Sequence, residues 1–364
     1  MKTATDQSRS HYPALDGLRG IAILLVVFYH NFGFINYFFF GWLGVDLFFV
    51  LSGFLITDIL LKTRSSSNYL RNFYGRRVLR IFPLYYLTLI IFFVLFPAFH
   101  FKPINFDYNL HNQSWFWLYI QNWLFIFYPG PSSATVLTHF WSLAVEEQFY
   151  LAWPFVILML KKSKTVLYLL IFLLLGVVTL RFILWMYQIE NLAYFNLYTF
   201  SRIDGICIGS ILAVLRTINP KAIPRYFTLI VLGLAALNFV FYFFNSQNQF
   251  SFPYLAIVGY TTFAVIFGLL INEGIEGENV VVNTIFSFPL LRFFGRISYS
   301  LYVFHWPIYI ILAPVFQKWL MNNLKMNNAT VLSSIITTVI ALILALISFH
   351  FFEKKFLSLK KNFE

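Results

Sequence analysis

Long apolar stretches separated by short polar connections run along nearly the whole chain. A stretch of about 20 apolar residues is long enough to cross the hydrocarbon core of a bilayer as an α-helix. This pattern predicts spans near 14–34, 41–61, 80–99, 140–160, 165–187, 198–216, 226–245, 253–272, 297–317 and 329–350. We therefore expect an all-α polytopic membrane protein, with about ten transmembrane helices in one bundle and residues 1–364 forming a single membrane domain.

The segment Trp115–Tyr128 is apolar and aromatic but too short for a full span. If it crossed the membrane, Lys161, Lys162 and Lys164 would lie on the outer side, against the tendency of basic residues to stay in the cytoplasm. We therefore expect an interfacial or re-entrant piece on the outer face.

The distribution of Lys and Arg predicts the orientation. If the N-terminus is cytoplasmic, the inner connections hold 20 of the 26 basic residues and the outer connections hold three, so both termini are expected in the cytoplasm. Because 60% of the residues are hydrophobic and 11% are charged, the net charge of +12 indicates a protein that contacts a lipid bilayer rather than a nucleic acid. The single cysteine, Cys207, excludes an intramolecular disulfide and a thiolate metal site.

The first predicted span carries charge that a lipid-facing helix would avoid. Arg19 and His30 are eleven residues apart, which puts them on one face of a helix with about 16 Å between them. Asp16 precedes Arg19 by three residues, close enough to pair with it. One interpretation is functional. The other is that Arg19 reaches to the headgroups and His30 caps the far end.

Several other predicted spans bring polar residues to the same outer depth as His30. Carboxylates beside an imidazole select its tautomer and stabilise the imidazolium, as acid/base chemistry requires. The polar residues predicted at this outer depth are Asp46, Ser142, Glu146, Glu147, Arg202 and Asp204.

Six further positions leave alternatives open or favour an ordinary structural role. His305 could make a structural hydrogen bond or take part in catalysis, and His139 could cap a helix or catalyse. Arg181 is interpreted as snorkelling, and Glu353 beside Lys354 as anchoring the tail. Ser52 and Gly53, inside an apolar helix, predict close helix packing.

Arginines crowd the predicted cytoplasmic entry to the third span: Arg71, Arg76, Arg77 and Arg80. Arg77 and Arg80 lie one turn apart on a helical face, and Arg19 approaches from the first span. Paired guanidinium groups suit a polyphosphate. The alternative is ordinary positive-inside charge.

The order of motifs resembles the acyltransferase-3 family of bacterial membrane O-acyltransferases, which modify surface glycans. The resemblance rests on residues 15–19 with the spacing from Arg19 to His30, on residues 44–56, on Arg77 with Arg80, and on four later motifs. Those motifs are residues 141–150, residues 202–205, residues 298–302 with His305 and Pro307, and residues 352–354.

The resemblance implies a ten-helix membrane domain that uses acyl-CoA, usually acetyl-CoA, as co-substrate, and no metal. Larger relatives append a soluble esterase-like domain that completes transfer to the glycan. Because this sequence ends at Glu364, we expect no such domain, and delivery of the acyl group to the acceptor directly or to a separate partner.

The predicted mechanism assigns the CoA phosphates to Arg19, Arg76, Arg77 and Arg80. His30 acts as general base or as a transiently acylated nucleophile. Asp46, Glu146 and Glu147 orient and charge-balance its imidazole, and Arg202 stabilises the developing oxyanion, with Asp204, Ser142 and His305 on the substrate side.

The expected acceptor is an extracytoplasmic or lipid-linked saccharide at the bacterial cytoplasmic membrane, such as lipopolysaccharide O-antigen or another surface polysaccharide. Peptidoglycan and a small glycoside stay open as acceptors. A proton-coupled transporter is the competing class, because intramembrane Arg, Asp, Glu and His also serve carriers. The sequence shows neither an internal repeat nor paired broken helices to favour it.

Overall fold

The computed structural model describes residues 12–130, 135–189, 191, 193–219, 227–248, 254–277, 279–326 and 328–363. Within these ranges the chain forms helices and short connections and no β-strand. The predicted all-α class is therefore confirmed.

The helices of the described ranges are numbered in chain order. They are α1 (Pro13–Phe32), α2 (Leu43–Thr63), α3 (Tyr69–Ile90), α4 (Phe96–Ala98), α5 (Phe106–His111), α6 (Gln113–Trp117), α7 (Gln121–Phe127), α8 (Trp141–Met159), α9 (Ser163–Met186), α10 (Ala193–Asn196), α11 (Thr199–Arg202), α12 (Asp204–Ile218), α13 (Phe227–Asn248), α14 (Tyr260–Glu276), α15 (Val280–Phe286), α16 (Pro289–Arg296), α17 (Ser298–Leu324), α18 (Ala329–Ile347) and α19 (Lys354–Ser358). Short 3₁₀ segments lie at Asn36–Trp42, Thr138–Phe140 and Leu359–Phe363, and π-helical segments at Ile91–Leu95, Leu255–Gly259 and Ser348–Glu353.

Seven helical stretches in the described ranges are long and apolar enough to cross a membrane. They are Pro13–Phe32, Asn36–Thr63, Tyr69–Ala98, Ser163–Met186, Ile257–Glu276, Ser298–Leu324 and Ala329–Phe363. The three other predicted spans also coincide with helices. Of these, α8 carries two glutamates, α12 is 15 residues long, and the apolar part of α13 is Thr228–Phe241. The chain is thus a multi-pass membrane protein, with helices at all ten predicted positions and seven that satisfy the requirements of a span.

The predicted orientation of the termini stays a prediction. Four of the basic residues on which it depends, Lys2, Arg9, Lys221 and Arg225, lie outside the described residues. The segment predicted to be interfacial or re-entrant consists of α6 and α7, which are five and seven residues long. Neither helix reaches the roughly 20 residues that a full span needs.

Helix α3 begins at Tyr69, well before the predicted start of its span near residue 80. Arginine is a good helix former, so the helix extends through the basic segment rather than starting after it. Arg71, Arg76, Arg77 and Arg80 therefore all lie within the first 12 residues of one helix.

The described chain divides into two compact units. The first unit comprises the described residues within 1–21, 45–69 and 149–295, and the second unit those within 22–44, 70–148 and 296–364. Helices α1, α2, α3, α8 and α16 contribute residues to both.

In the first unit, α12 packs between α9 and α14, and α13 packs on α14. Helices α2 and α12 approach each other closely. A Cβ atom added to Gly53 would lie 2.0 Å from the carbonyl oxygen of Ile206, and one added to Gly209 would lie 2.0 Å from that of Val50. The close packing predicted at Gly53 is therefore confirmed, because any side chain at these two glycines would collide with backbone.

In the second unit, α17 and α18 pack along each other. The last turn of α1 is tied to α18, since the Asn31 amide donates to Thr338 Oγ1 at 2.8 Å. The Tyr299 hydroxyl, at the start of α17, donates to the carbonyl oxygen of Ile81 in α3 at 2.6 Å. These bonds hold α1, α3, α17 and α18 of this unit in a fixed arrangement around their polar side chains.

Candidate active site

Two histidines from opposite ends of the sequence meet in the second unit. His30, on the last turn of α1, and His305, on the second turn of α17, lie with Nδ1 and Nε2 2.8 Å apart. Their rings stack with centroids 5.0 Å apart. His305 is completely buried, whereas His30 is half-buried. One imidazole of the pair is thus enclosed by protein and the other keeps an accessible edge.

The hydrogen bonds decide which nitrogens carry protons. His305 Nδ1 faces the carbonyl oxygens of Tyr302 and Leu301, at 2.8 and 3.1 Å. A nitrogen that faces only acceptors must carry the hydrogen, so in a neutral ring His305 Nε2 is the acceptor. His30 Nδ1 then donates to it, which leaves the lone pair of His30 on Nε2. The pair therefore presents a basic nitrogen on the exposed partner.

Neighbouring groups fix the two rings in place. The Trp306 ring lies 4.8 Å from that of His30, and its indole N–H donates to the carbonyl oxygen of Thr135 at 3.0 Å. His139 lies edge-on to His305, with ring centroids 5.3 Å apart. Burial and the two neighbouring imidazoles hold the pKa of His139 well below its ordinary value, so this ring is neutral at pH 7.

Tyr302 joins the start of α8 to α17. Its hydroxyl donates to the carbonyl oxygen of His139 at 2.6 Å and accepts from the Ser142 hydroxyl, also at 2.6 Å. Glu146, one turn further along α8, interacts electrostatically with this hydroxyl. Ser142 and Glu146 are therefore connected to the histidine pair through Tyr302.

Glu147 belongs to a second polar group of the same unit. It interacts electrostatically with Glu146 and Arg77, and with the tyrosines 85, 86, 119 and 299. The neighbouring Gln148 fixes this region by donating to the carbonyl oxygen of Tyr119 at 2.9 Å. One carboxylate oxygen of Glu147 and the Tyr119 hydroxyl are buried without a hydrogen-bond partner. Such atoms cost free energy unless a ligand or water satisfies them.

The arginines predicted to hold phosphate are differently engaged. Arg77 lies 6.0 Å from the Phe73 ring centroid, and Arg80 interacts electrostatically with Tyr299 and Glu353. Arg76 Nε donates to the carbonyl oxygen of Phe363 at 2.7 Å. In the first unit, Arg19 pairs with Asp16 at 3.6 Å, as the spacing predicts.

The remaining predicted residues form an ionic network inside the first unit. Arg202 donates to Asp46 Oδ1 at 2.6 Å, and its guanidinium lies 3.9 Å from the Tyr260 ring centroid. Arg181 pairs with Asp204 at 2.9 Å, and Thr261 donates to the same carboxylate at 2.8 Å. All four charged side chains are buried. The network balances two positive against two negative charges.

A sequence model described as an acyltransferase domain, that of the acyltransferase-3 family, matches residues 12–350. The chain belongs to the acyltransferase-3 family. The match runs through α1, with His30, and α17, with His305, so both halves of the histidine pair lie within the family domain.

Curated members of the acyltransferase-3 family align with most of this chain. The peptidoglycan O-acetyltransferase OatA of Listeria monocytogenes is 32% identical over 97% of the chain and 57% of OatA. YrhL of Bacillus subtilis, provisionally named a peptidoglycan O-acetyltransferase, is 30% identical over 96% of the chain and 55% of YrhL. A provisionally named O-acetyltransferase of Staphylococcus aureus is 30% identical over 82% of the chain and 50% of its own length.

The chain thus spans about half the length of these acyltransferase-3 relatives. No solved structure matches it. The family and the names of its members support an acyltransferase, and the apolar helices place it in a membrane.

One interpretation of a single residue was wrong. Arg181 does not snorkel to the headgroups: it is completely buried, pairs with Asp204, and donates through Nε to the carbonyl oxygen of Ser201 at 2.7 Å. Glu353, interpreted as anchoring the tail, is buried and accepts hydrogen bonds from Ser300 of α17 and from Ser348. Glu353 is the last residue of a π-helical segment, a type of element that is frequent at functional sites.

Proposed function

We propose that this protein is a membrane O-acyltransferase that moves an acyl group, most simply acetyl, from acyl-CoA to a hydroxyl of a cell-envelope saccharide. The observation that carries the proposal is the His30–His305 pair, which leaves the lone pair of a half-buried imidazole on Nε2. The family match supports the reaction class.

In the proposed reaction, His30 Nε2 removes the proton of the acceptor hydroxyl while its oxygen attacks the thioester carbonyl. The new C–O bond forms, the C–S bond breaks, and the proton returns from His30 to the departing CoA thiolate. His305 Nε2 accepts the hydrogen bond from His30 Nδ1 throughout, so the imidazolium that forms is stabilised without a negatively charged neighbour.

A two-step route uses the same nitrogen. His30 Nε2 attacks the thioester carbonyl, the C–S bond breaks, and CoA leaves as a thiolate that takes a proton from water. The acceptor hydroxyl then attacks the acyl-imidazole, the C–N bond breaks, Nε2 regains its lone pair, and the hydroxyl proton passes to water. This route suits a donor and an acceptor that arrive at different times. Both routes need the tautomer that His305 imposes.

The part of the proposed site that binds the acyl-CoA donor is the arginine-bearing part of α3. Arg76, Arg77 and Arg80 share this helix, and guanidinium groups bind phosphate oxygens in pairs. Glu147 links this end to α8 through its electrostatic interaction with Arg77. We propose that Glu147 and Glu146 position donor and acceptor groups.

For the charged residues of the ionic network in the first unit we propose a structural role. Arg202 is held by Asp46 and the Tyr260 ring, and Asp204 by Arg181 and Thr261. A buried guanidinium held in this way supports the helices that carry it. We therefore propose a structural role for this network, and the oxyanion role of Arg202 and the orienting role of Asp46 stay predictions.

For the acceptor, we propose an envelope saccharide hydroxyl outside the cytoplasm, reached at the bacterial cytoplasmic membrane. Peptidoglycan is the first acceptor to test, because two relatives are named for it. Lipid-linked saccharides, including lipopolysaccharide O-antigen, are tested in the same experiment.

The test incubates membranes containing the wild type or His30→Ala with CoA carrying a labelled acetyl group. Peptidoglycan, lipid-linked saccharides and lipids are then separated. Label in one saccharide fraction from the wild type alone would support the proposal and identify the acceptor. Equal labelling by both proteins would refute the role of His30. Absence of CoA binding by the wild type would favour a transporter.

A further inference from the structure

The aromatic ring of Phe363 fills a notch in the arginine-bearing part of α3. A Cβ atom added to Gly75 would lie 2.2 Å from Phe363 Cε1, so the ring rests directly on the helix backbone. The Arg71 guanidinium lies 5.9 Å from the ring centroid. The Phe363 carbonyl oxygen accepts from Arg76 Nε at 2.7 Å.

Each of these contacts is of a kind that a nucleotide can also make. A glycine in the interior of a helix is unfavourable relative to alanine, and here it opens space for a flat ring. A guanidinium beside an aromatic face attracts an adenine as it attracts a phenyl ring. Arg76 Nε, now bonded to a carbonyl oxygen, is a donor that a phosphate oxygen would use more strongly.

The position of the notch on α3 strengthens this comparison. Gly75 directly precedes Arg76 and Arg77, and Arg80 follows within two turns. A base seated on Gly75 would place its attached phosphates beside these three arginines. The segment Leu359–Phe363 therefore occupies the position that the nucleotide end of the donor would need.

We propose that the Gly75 notch is the binding site for the adenine ring of acyl-CoA, and that Phe363 occupies it in competition with the donor. This inference rests on the proposed function, because it assumes a CoA donor. Donor binding then displaces the segment Leu359–Phe363 and releases Arg76 for phosphate. The segment Leu359–Phe363 sets the apparent affinity of the site for the donor without contacting the reacting groups.

The first test measures binding of CoA, and of its adenosine bisphosphate half, to the full chain purified in detergent. Removal of a competing occupant raises the apparent affinity by the reciprocal of the fraction of time that the site was open. Phe363→Ala is therefore expected to bind both probes about five- to tenfold more tightly. The matched control is Leu359→Ala, because Leu359 is exposed in the same segment and its removal should change nothing.

The second test closes the notch itself. Gly75→Ala favours the helix but places a methyl group where the ring lies, so the protein should fold while the base is excluded. We expect about tenfold weaker binding of the adenosine bisphosphate half, and unchanged use of acetyl-pantetheine, which has no nucleotide.

The outcomes separate this inference from the proposed function. If the wild type binds no CoA, the proposed donor is wrong. If the wild type binds CoA but Phe363→Ala binds it equally or more weakly, the competition is refuted while the donor stands. Equal weakening of acetyl-pantetheine by Gly75→Ala would also refute the adenine notch, because the defect would then not concern the nucleotide.

Discussion

The buried polar groups of the two units are satisfied in different ways. In the first unit, the network of Asp46, Arg181, Arg202 and Asp204 pairs every charge with an opposite one inside the protein. In the second unit, His30 and His305 form a neutral pair whose chain of hydrogen bonds ends in a lone pair on the half-buried member. Intramembrane ionisable residues are generally taken as functional. Here one set is neutralised inside the protein, whereas the other keeps a lone pair on a half-buried ring.

Substitutions in the two regions should therefore affect different measurements. Removing one partner of a buried ion pair leaves an uncompensated charge and lowers the stability of the fold. Removing a neutral base leaves no such charge, so the fold should survive while the reaction stops.

The largest effect is expected from His30→Ala. Loss of a general base lowers the rate by about 10²–10⁴-fold, and loss of a nucleophile would lower it at least as much. The rate of acyl transfer in membranes checks this, with protein amount and thermal unfolding in detergent measured alongside. A His30→Ala protein that retains more than a tenth of the activity would contradict both proposed routes.

Arg202→Met, in the ionic network of the first unit, should lower the stability of the fold. It leaves the Asp46 carboxylate buried without its guanidinium partner, which costs about 3–5 kcal/mol of folding free energy. The measurement is the midpoint of thermal unfolding in detergent. Arg202→Lys is the control, because it keeps the charge and should recover part of the loss. Unchanged stability with lost activity would instead support the oxyanion role of Arg202.

His305→Ala should be the intermediate case. The fold loses a buried ring, and His30 loses the acceptor that selects its tautomer. By analogy with groups that orient metal-bound histidines, we expect about a 10–100-fold lower kcat. The KM for acyl-CoA should stay unchanged, since the arginines proposed to bind its phosphates lie on a different helix, α3. A changed KM with the wild-type kcat would contradict the positioning role.

Tyr302→Phe should give the smallest effect. It removes the hydroxyl that joins Ser142 to the carbonyl oxygen of His139 but leaves the backbone carbonyl that accepts from His305. A lost buried hydrogen bond costs about 1–3 kcal/mol, so a modest fall in stability and activity together is expected. Ser142→Ala removes only the bond between the two hydroxyls and should cost less, because Tyr302 still donates to the carbonyl oxygen of His139. A much larger loss in Tyr302→Phe alone would give the phenol a direct part in the reaction.

Hydrophobic periodicity predicted where the helices lie, because lipid imposes a length and a composition on each of them. It could not predict which polar side chains pair. Residues at similar predicted depth, such as Asp46 and His30, were grouped by depth alone. The structure shows the partner of Asp46 to be Arg202 and that of His30 to be His305. Contacts between helices far apart in sequence depend on packing, which one sequence does not encode in its spacing.

Other residues carried misleading signals. Arg181 lay near the end of a span and its sequence position suggested snorkelling, whereas its partner Asp204 stands 23 residues later and on another helix. His139 and Trp306 frame the histidine pair, yet neither has a spacing that distinguishes it from an ordinary aromatic belt residue. The family motif around His305 was the signal that placed it among the candidates.

The bond between Asn31 and Thr338 has a consequence for how the acyl group travels. The His30 ring is hydrogen-bonded to His305. The next residue, Asn31, bonds the same turn of α1 to α18, so the ring and the turn that carries it are both held. The His30 side chain is not free to move an acyl group from one membrane face to the other. In the proposed reaction it is a stationary transfer point, and the long flexible donor and the acceptor must each come to it.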